Sequence, residues 1–246
     1  MYADSASVLL DSIQAPDELT DKDFAHWCML CGKVTDEAAT GLLPIYQWQR
    51  AQQWFTEHGT AEEQAQIDLY LGRAYVEDGE YDKAMQIYAD ALQLAKEHQA
   101  YNVAGYICAY MADLYGFRDI TSECLKKREE ACEFFKKAEN YKSYAYSLKD
   151  LAGEWAILDS FACTIPLLQK ADSISQLLHN KNLTAAIANA FALIYEMQGK
   201  YNEAETAYLK AISTRSEESY KDSIGLLKVY IKNNKLGKAY ELIKAI

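Results

Sequence analysis

LYLGRAYVEDGEYDKAMQIYADALQLA (residues 69–95) and NAFALIYEMQGKYNEAETAYLKAIS (residues 189–213) align without a gap, 120 residues apart. Gly72 falls on Ala192, Tyr75 on Tyr195, Tyr81 on Tyr201, Ala84 on Ala204, Tyr88 on Tyr208 and Ala91 on Ala211. The offset is three times 40, so steps of 40 should reveal copies in between. They do. A small-residue slot reads Gly32, Gly72, Ala112, Ala152, Ala192, and three residues later come Thr35, Tyr75, Tyr115, Trp155, Tyr195. A third slot is alanine throughout: Ala51, Ala91, Ala131, Ala171, Ala211. A sixth, shorter-spaced copy follows as Leu227, Tyr230, Leu236, Ala239. Fixed-period self-similarity of this length is the mark of a stacked repeat.

Each copy reads as a helical hairpin. Its first half carries an apolar stripe at helical spacing, Asp68, Leu71, Gly72, Tyr75, with one polar lapse at Asp68. A turn follows, EDGEY or MQGKY, where Gly79 and Gly199 supply the left-handed conformation that ends a helix. The second half, YDKAMQIYADALQLAKEH, is again amphipathic. Thr60–Glu63 has the capping-box pattern, and Thr20–Asp23 is a weaker version of it. Gly or Ala in the small slot lets the two helices of a hairpin approach closely. One hairpin cannot bury its own apolar face, so the units must stack.

The pattern L-G-x-x-Y…G-x-Y-x-x-A-x-x-x-Y-x-x-A, carried by Leu71, Gly72, Tyr75, Gly79, Tyr81, Ala84, Tyr88 and Ala91, resembles the tetratricopeptide repeat (TPR). HEAT and armadillo units share the period but not this internal pattern. The likeness extends over about residues 20–246, with Pro44 in an Ala slot and Arg128 in an aromatic one as departures. It implies an all-α fold, a right-handed α-α superhelix of antiparallel hairpins forming one solenoid over 1–246. Within it, 1–19 is a capping half-repeat, 20–219 holds five hairpins and 220–246 a sixth, shorter one. The 40-residue period resembles the long TPR variety of signal-responsive proteins, in which the extra residues extend the second helix and its loop. The opening, with Asp4-Ser5-Ala6 and Leu9-Leu10-Asp11-Ser12-Ile13, resembles TPR proteins of Bacteroides-type bacteria. That likeness implies an exported, periplasmic or lipid-anchored protein with a signal sequence before Met1; without it the cytoplasm is the expected place. A chain ending on YELIKAI leaves an apolar edge, so a continuation past Ile246, or self-association through that edge, is expected.

Composition narrows the partners. The formal net charge is −11, which repels phosphate backbones and anionic lipid, so neither nucleic acid nor a membrane surface is expected. No apolar run approaches the roughly 18 residues of a membrane span. MYADSASVLL shows neither a basic n-region nor a cleavage pattern.

The stretch HWCMLCGK (residues 26–33) has the local look of a redox or metal site. The register argues otherwise. Gly32 is in the small slot, so Cys31 takes a Leu position and Cys28 aligns with Asp68, Cys108 and Leu148. Both lie beyond the first turn of a helix starting near Asp21, where the thiolate-favouring end of the dipole has faded. No second Cys-x-x-Cys completes a zinc set. Packing in the core is the preferred reading. Cys108 and Cys132 occupy facing slots of one hairpin; export would allow a disulfide, and a reducing cytosol would keep two thiols. His58 and His98, each preceded by Glu, suit helix C-termini, while His26 and His179 have no repeat partner. Glu62-Glu63 and Glu217-Glu218 read as helix-start acids. No phosphate loop, G-x-S-x-G or H-E-x-x-H is present, so no catalytic set, metal or cofactor is expected.

What remains is a surface. In TPR arrays the first helices line a concave groove that holds a peptide or partner segment. The residues flanking the packing stripe are Lys33, Gln66, Arg73, Tyr106, Asp113, Tyr146, Lys149, Asn189 and Glu196. They are the candidate partner-binding set, with Tyr as an anchor of large area and few rotamers. Half-burial of these Tyr between hairpins is the competing reading. Lys33 and Arg73 echo the basic carboxylate clamp of chaperone-binding TPRs, but Asp113 stands in the next slot. Two functions fit: a non-catalytic peptide- or protein-binding scaffold, or a ligand-sensing or dimerising domain whose effector follows it. An enzyme ranks third.

Overall fold

A computed structural model describes residues 2–38, 41–215 and 220–245, so the chain ends Met1 and Ile246 and the pair Glu217-Glu218 lie outside the described residues. Side chains of Asp4, Ser5 and Asp11, which carry part of the opening motif, also lie outside them. Among the described residues are thirteen α-helices and one 3-10 turn, Pro16–Glu18, and no strand. The chain divides into two compact units, Met1–Ala138 and Glu139–Ile246. The first holds α1 (Tyr2–Asp11), α2 (Asp21–Ala38), α3 (Ile45–His58), α4 (Ala61–Glu77), α5 (Tyr81–Glu97), α6 (Tyr101–Phe117) and α7 (Thr121–Lys137). The second holds α8 (Tyr141–Ile157), α9 (Phe161–Leu177), α10 (Lys181–Met197), α11 (Tyr201–Thr214), α12 (Tyr220–Lys232) and α13 (Leu236–Ala245). Neighbouring helices pack as hairpins, α2 with α3, α4 with α5, α6 with α7, α8 with α9, α10 with α11 and α12 with α13. Within each unit the first helices also touch in sequence: α2, α4, α6 in one, α8, α10, α12 in the other.

From α4 to α10 every helix has 17 residues, and their starts lie 20 residues apart. The extra length that the TPR resemblance assigns to the second helix is therefore shared equally by both helices. The turns between them are one device used repeatedly. Gly79 and Gly199 are left-handed, at φ +79° and +71°. Gln99, Asp119, Glu139, Asp159, His179 and Asn234 adopt the same conformation without being glycine. The N–H one residue past the left-handed position bonds back five residues, as in Glu80 N–H to Tyr75 O at 2.9 Å and Lys200 N–H to Tyr195 O at 2.8 Å. This satisfies carbonyls that the helix end leaves open. Four first helices are capped at the same register position, which Ala100 before α6 leaves without a side-chain cap. Thr60 forms a full capping box with Glu63. Asn140 accepts from Ser143 N–H at 3.1 Å and Asn180 from Leu183 N–H at 3.0 Å, and Thr20 accepts from Asp23 N–H at 3.2 Å.

The small slots mark where rings enter. A methyl on Gly72 would run into the Tyr88 ring of its own hairpin, and Tyr88 is fully buried. Gly32 departs from the expected role, because it faces Tyr70 of α4, the next first helix, rather than its hairpin partner. The alanine slot is buried throughout: Ala51, Ala91, Ala131, Ala171 and Ala211. A further small slot runs through all six hairpins: Ala25, Ala65, Gly105, Ala145, Ala185 and Gly225, every one buried. It keeps the 40-residue step into the last hairpin, where Gly225 meets the Tyr208 ring. Leu227 is therefore not the close-packing position of that hairpin.

HWCMLCGK lies inside α2. Cys28 is fully buried in a cluster with Phe24, Trp48 and Tyr70. Cys31 is only half-buried, which corrects the expectation that both thiols enter the core. All six cysteines are free thiols, Cys108 and Cys132 included.

Candidate functional site

In the first unit a chain of contacts links the three first helices. The Arg73 guanidinium on α4 pairs with the Asp36 carboxylate on α2. The Tyr70 hydroxyl donates to the other oxygen of Asp36 at 2.9 Å. The other side of Arg73 meets α6, with its guanidinium 4.9 Å from the centre of the Tyr110 ring. Asp113, also on α6, pairs with Arg128 of α7 at 2.7 Å. Burial, opposed in part by Arg73, pushes the Tyr110 phenol up to about 12. The Tyr106 ring meets Phe135 edge-on, 4.8 Å between centres. Gln66 is half-buried, and Lys33 is exposed on α2. A pocket of about 450 Å³ opens between α4, α5 and α6, lined by Arg73, Glu77, Tyr81, Tyr88, Tyr110, Asp113, Leu114 and Phe117, with Leu42 and Val76.

The second unit builds its face differently. Asp222 of α12 is 1 % exposed as a side chain and pairs with Arg215 Nε at 3.0 Å. Asn189 of α10 donates to its other oxygen at 2.5 Å. Tyr146 of α8 is half-buried, and burial raises its phenol against the opposing pull of Arg215. Lys149 pairs with its neighbour Asp150. Glu196 accepts from Lys232 at 2.7 Å and from the Tyr208 hydroxyl at 3.5 Å. A shallower pocket of about 400 Å³ lies between α9, α10 and α11, beside Phe191, Tyr195, Glu203 and Lys210.

Of the candidate residues, Arg73 and Asp113 come together at one pocket, and Asn189 is joined to Arg215 through Asp222. Lys33 and Lys149 do not join either network. The clamp resemblance loses its chemistry here, since Arg73 is already committed to Asp36. Asp36, Tyr70, Tyr110, Arg215 and Asp222 were missed. Tyr70 and Tyr110 stand 40 residues apart, so the register could have found them. Arg215 ends α11 and Asp222 opens α12, and no sequence signal marks their pairing.

Two of the buried thiols are held in the protonated form. Burial, with Cys31 nearby, raises the Cys28 thiol far above its ordinary value. Burial pushes Cys108 up to about 12. Both stay protonated at neutral pH and pack as apolar groups. His58 closes α3, its Nδ1 3.1 Å from the Trp54 carbonyl and its ring stacked on Trp54. No group of three or more His, Cys, Asp or Glu among the described residues could hold a metal ion. No helix among them is long and apolar enough to cross a membrane.

Models of the tetratricopeptide repeat match residues 71–99 and 184–218, one in each unit. The chain carries tetratricopeptide repeats. No curated protein sequence matches it. Solved structures show the same architecture. BtubC (BKLC) from P. vanneervenii superposes with a TM-score of 0.68 at 15% identity, over 90% of this chain and 89% of that one. A Rap protein complexed with Competence and Sporulation Factor gives 0.70 at 16%, over 99% and 70%. The quorum sensor NprR from B. thuringiensis, in its apo form, gives 0.66 at 14%, over 92% and 65%. At these identities the likeness is one of fold: a TPR-like helical repeat solenoid.

Proposed function

We propose that this chain is a non-catalytic scaffold that holds a peptide or protein segment along its first helices. One observation carries the reading. In each unit, polar and aromatic side chains of successive first helices are locked to one another, as Asp36, Arg73 and Tyr110 are in the first and Asn189 and Asp222 in the second. A face fixed before binding loses little side-chain freedom when a partner arrives. The Rap protein with its bound factor supports the reading, as a similar solenoid that engages a partner.

The test is selection of a displayed random-peptide library on the immobilised chain. Peptides that bind are then measured against Lys33→Ala, Tyr106→Ala and Tyr146→Ala, each with its unfolding midpoint. A peptide on the first unit loses about tenfold or more with Lys33→Ala or Tyr106→Ala, and one on the second unit with Tyr146→Ala, as expected of interface anchors. Full affinity in all three variants overturns the assignment. Self-association through α12 and α13 belongs to the same proposal, because Ile224, Ile231, Tyr240 and Ile243 are exposed there. Light scattering that finds only monomer across the accessible concentration range removes that part.

A further inference from the structure

The geometry points to the pocket between α4, α5 and α6 as a receptor for a single cationic side chain, a lysine or arginine of the bound peptide. This rests on the peptide-scaffold reading and names what its first unit selects. Three observations converge. The first is an uncommitted carboxylate. Glu77 lines the pocket, is exposed, and has no ion-pair partner among the described residues. The second is an aromatic corner beside it. The Tyr81 and Phe117 rings stand 5.1 Å apart, tilted by 47°, and Phe117 is 68% exposed. Ring faces attract ammonium and guanidinium groups. The third is an orphan polar group within the lining. Tyr88 is fully buried, yet its hydroxyl has no hydrogen-bond partner among the described residues. The groups that influence that hydroxyl, Tyr110, Arg73 and Asp113, are all pocket residues. A buried hydroxyl left unpaired costs free energy that a donor entering the pocket would recover.

An anionic guest is disfavoured by the same inventory. Arg73 is the lining cation, and its charge is already met by Asp36 while its plane lies near Tyr110. Asp113 and Arg128 likewise neutralise one another. Glu77 thus leaves the pocket with an excess negative charge, within a chain of net charge −11. Apolar walls from Val76 and Leu114 would cover the methylene stem of a long basic side chain.

The experiment titrates four capped amino-acid amides, of arginine, lysine, norleucine and glutamate, into the whole chain with ring-labelled tyrosine. NMR signals of Tyr81 and Tyr110 report occupancy. The arginine or lysine amide is expected to shift both rings at millimolar concentration, while norleucine and glutamate leave them in place. Glu77→Gln, at an exposed position, is expected to weaken the cationic amide about fivefold or more; Tyr88→Phe weakens it less and does not lower the unfolding midpoint. Equal shifts from norleucine or glutamate, or an unchanged response in Glu77→Gln, overturn the proposal. The two readings fail separately. Library peptides that bind the first-helix faces without enriched Lys or Arg, and that ignore Glu77→Gln, sink the cation pocket and spare the scaffold. A capped arginine that binds while no peptide is ever selected does the reverse.

Discussion

The two units solve the same packing problem with different chemistry. The first is held by rings set into glycine notches: Tyr70 against Gly32, Tyr88 against Gly72, Phe135 against Gly105. The second has one such notch, Tyr208 against Gly225; it begins with Ala152 over Leu168, flanked by Phe161 and Phe191, and adds charge at its end. Glu205 of α11 is buried and accepts from Lys235 at 2.6 Å and from Lys238 at 2.7 Å, tying the last hairpin down. Ring-in-notch packing is short-ranged and intolerant of a single added carbon. Charge pairing tolerates shape changes but answers to pH and salt. The contrast teaches where each unit can be broken.

The largest expected effect comes from glycine to alanine in matched helices. Gly72→Ala forces a methyl into the buried Tyr88 ring and should cost about 1–3 kcal/mol. Gly153→Ala, in α8, meets nothing within 4 Å among the described residues and should stabilise by up to about 1 kcal/mol through helix propensity. Chemical denaturation with hydrogen exchange resolved to α4–α5 and α8–α9 separates the two. Opposite signs sustain the contrast; equal destabilisation would abolish it.

The next pair concerns pH, and again the units should differ in sign. Asp68, the polar lapse in the apolar stripe of α4, is raised to about 6 by burial, with Gln52 of α3 donating at 2.7 Å and the Asp90 carboxylate of α5 adding repulsion. Its folded value lies above its unfolded one, so the folded state binds the proton more tightly. Stability then falls as pH rises from about 4 to 6. Asp68→Asn should gain about 1–2 kcal/mol at pH 7.5, after allowance for solvent, and little at pH 4. Glu205 behaves oppositely. Burial pushes its carboxyl up, but the hydrogen bonds and charges of Lys235 and Lys238 outweigh that and hold it below the usual range. Its contribution is present above the unfolded carboxyl value and lost as pH falls through the folded one. Glu205→Gln should lower the Tm by about 2–4 °C at pH 7, a deficit that shrinks toward pH 3. A Tm series from pH 3 to 8 on both variants tests this, and parallel curves would refute it.

What the sequence made legible follows from this physics. Slots that must stay small repeat at a fixed step, so Gly72, Ala91 and their copies could be read directly. The slot from Ala25 to Gly225 was equally regular and was overlooked because alanine is common in helices. Groove residues were harder. Periodicity tells which side of a helix a residue takes, and it put Arg73 and Tyr146 on the first-helix faces. It says nothing of a partner on another helix, so Arg73 read as a free cation although Asp36 neutralises it. Asp222 was invisible for the same reason. The turns show a further limit: glycine announces a left-handed residue, but among the described residues six of the eight are not glycine.

Those six turns supply the smallest and most evenly matched test. A left-handed Gln, Asp, Glu, His or Asn carries a penalty that glycine does not, partly offset by the entropy glycine loses on folding. Gln99→Gly in the first unit and His179→Gly in the second replace residues at φ 57° and 50° in turns of the same length, each closed by the same bond back over five residues. Each should gain up to about 1 kcal/mol, and the two gains should agree within a few tenths because neither turn depends on rings or charges. If only one responds, the turns are not one repeated device. The unit that resists would then be the one whose side chain at that position is held by something beyond its backbone. Thermal unfolding of the two single variants and the double variant decides it, since turns this far apart in sequence should give additive gains.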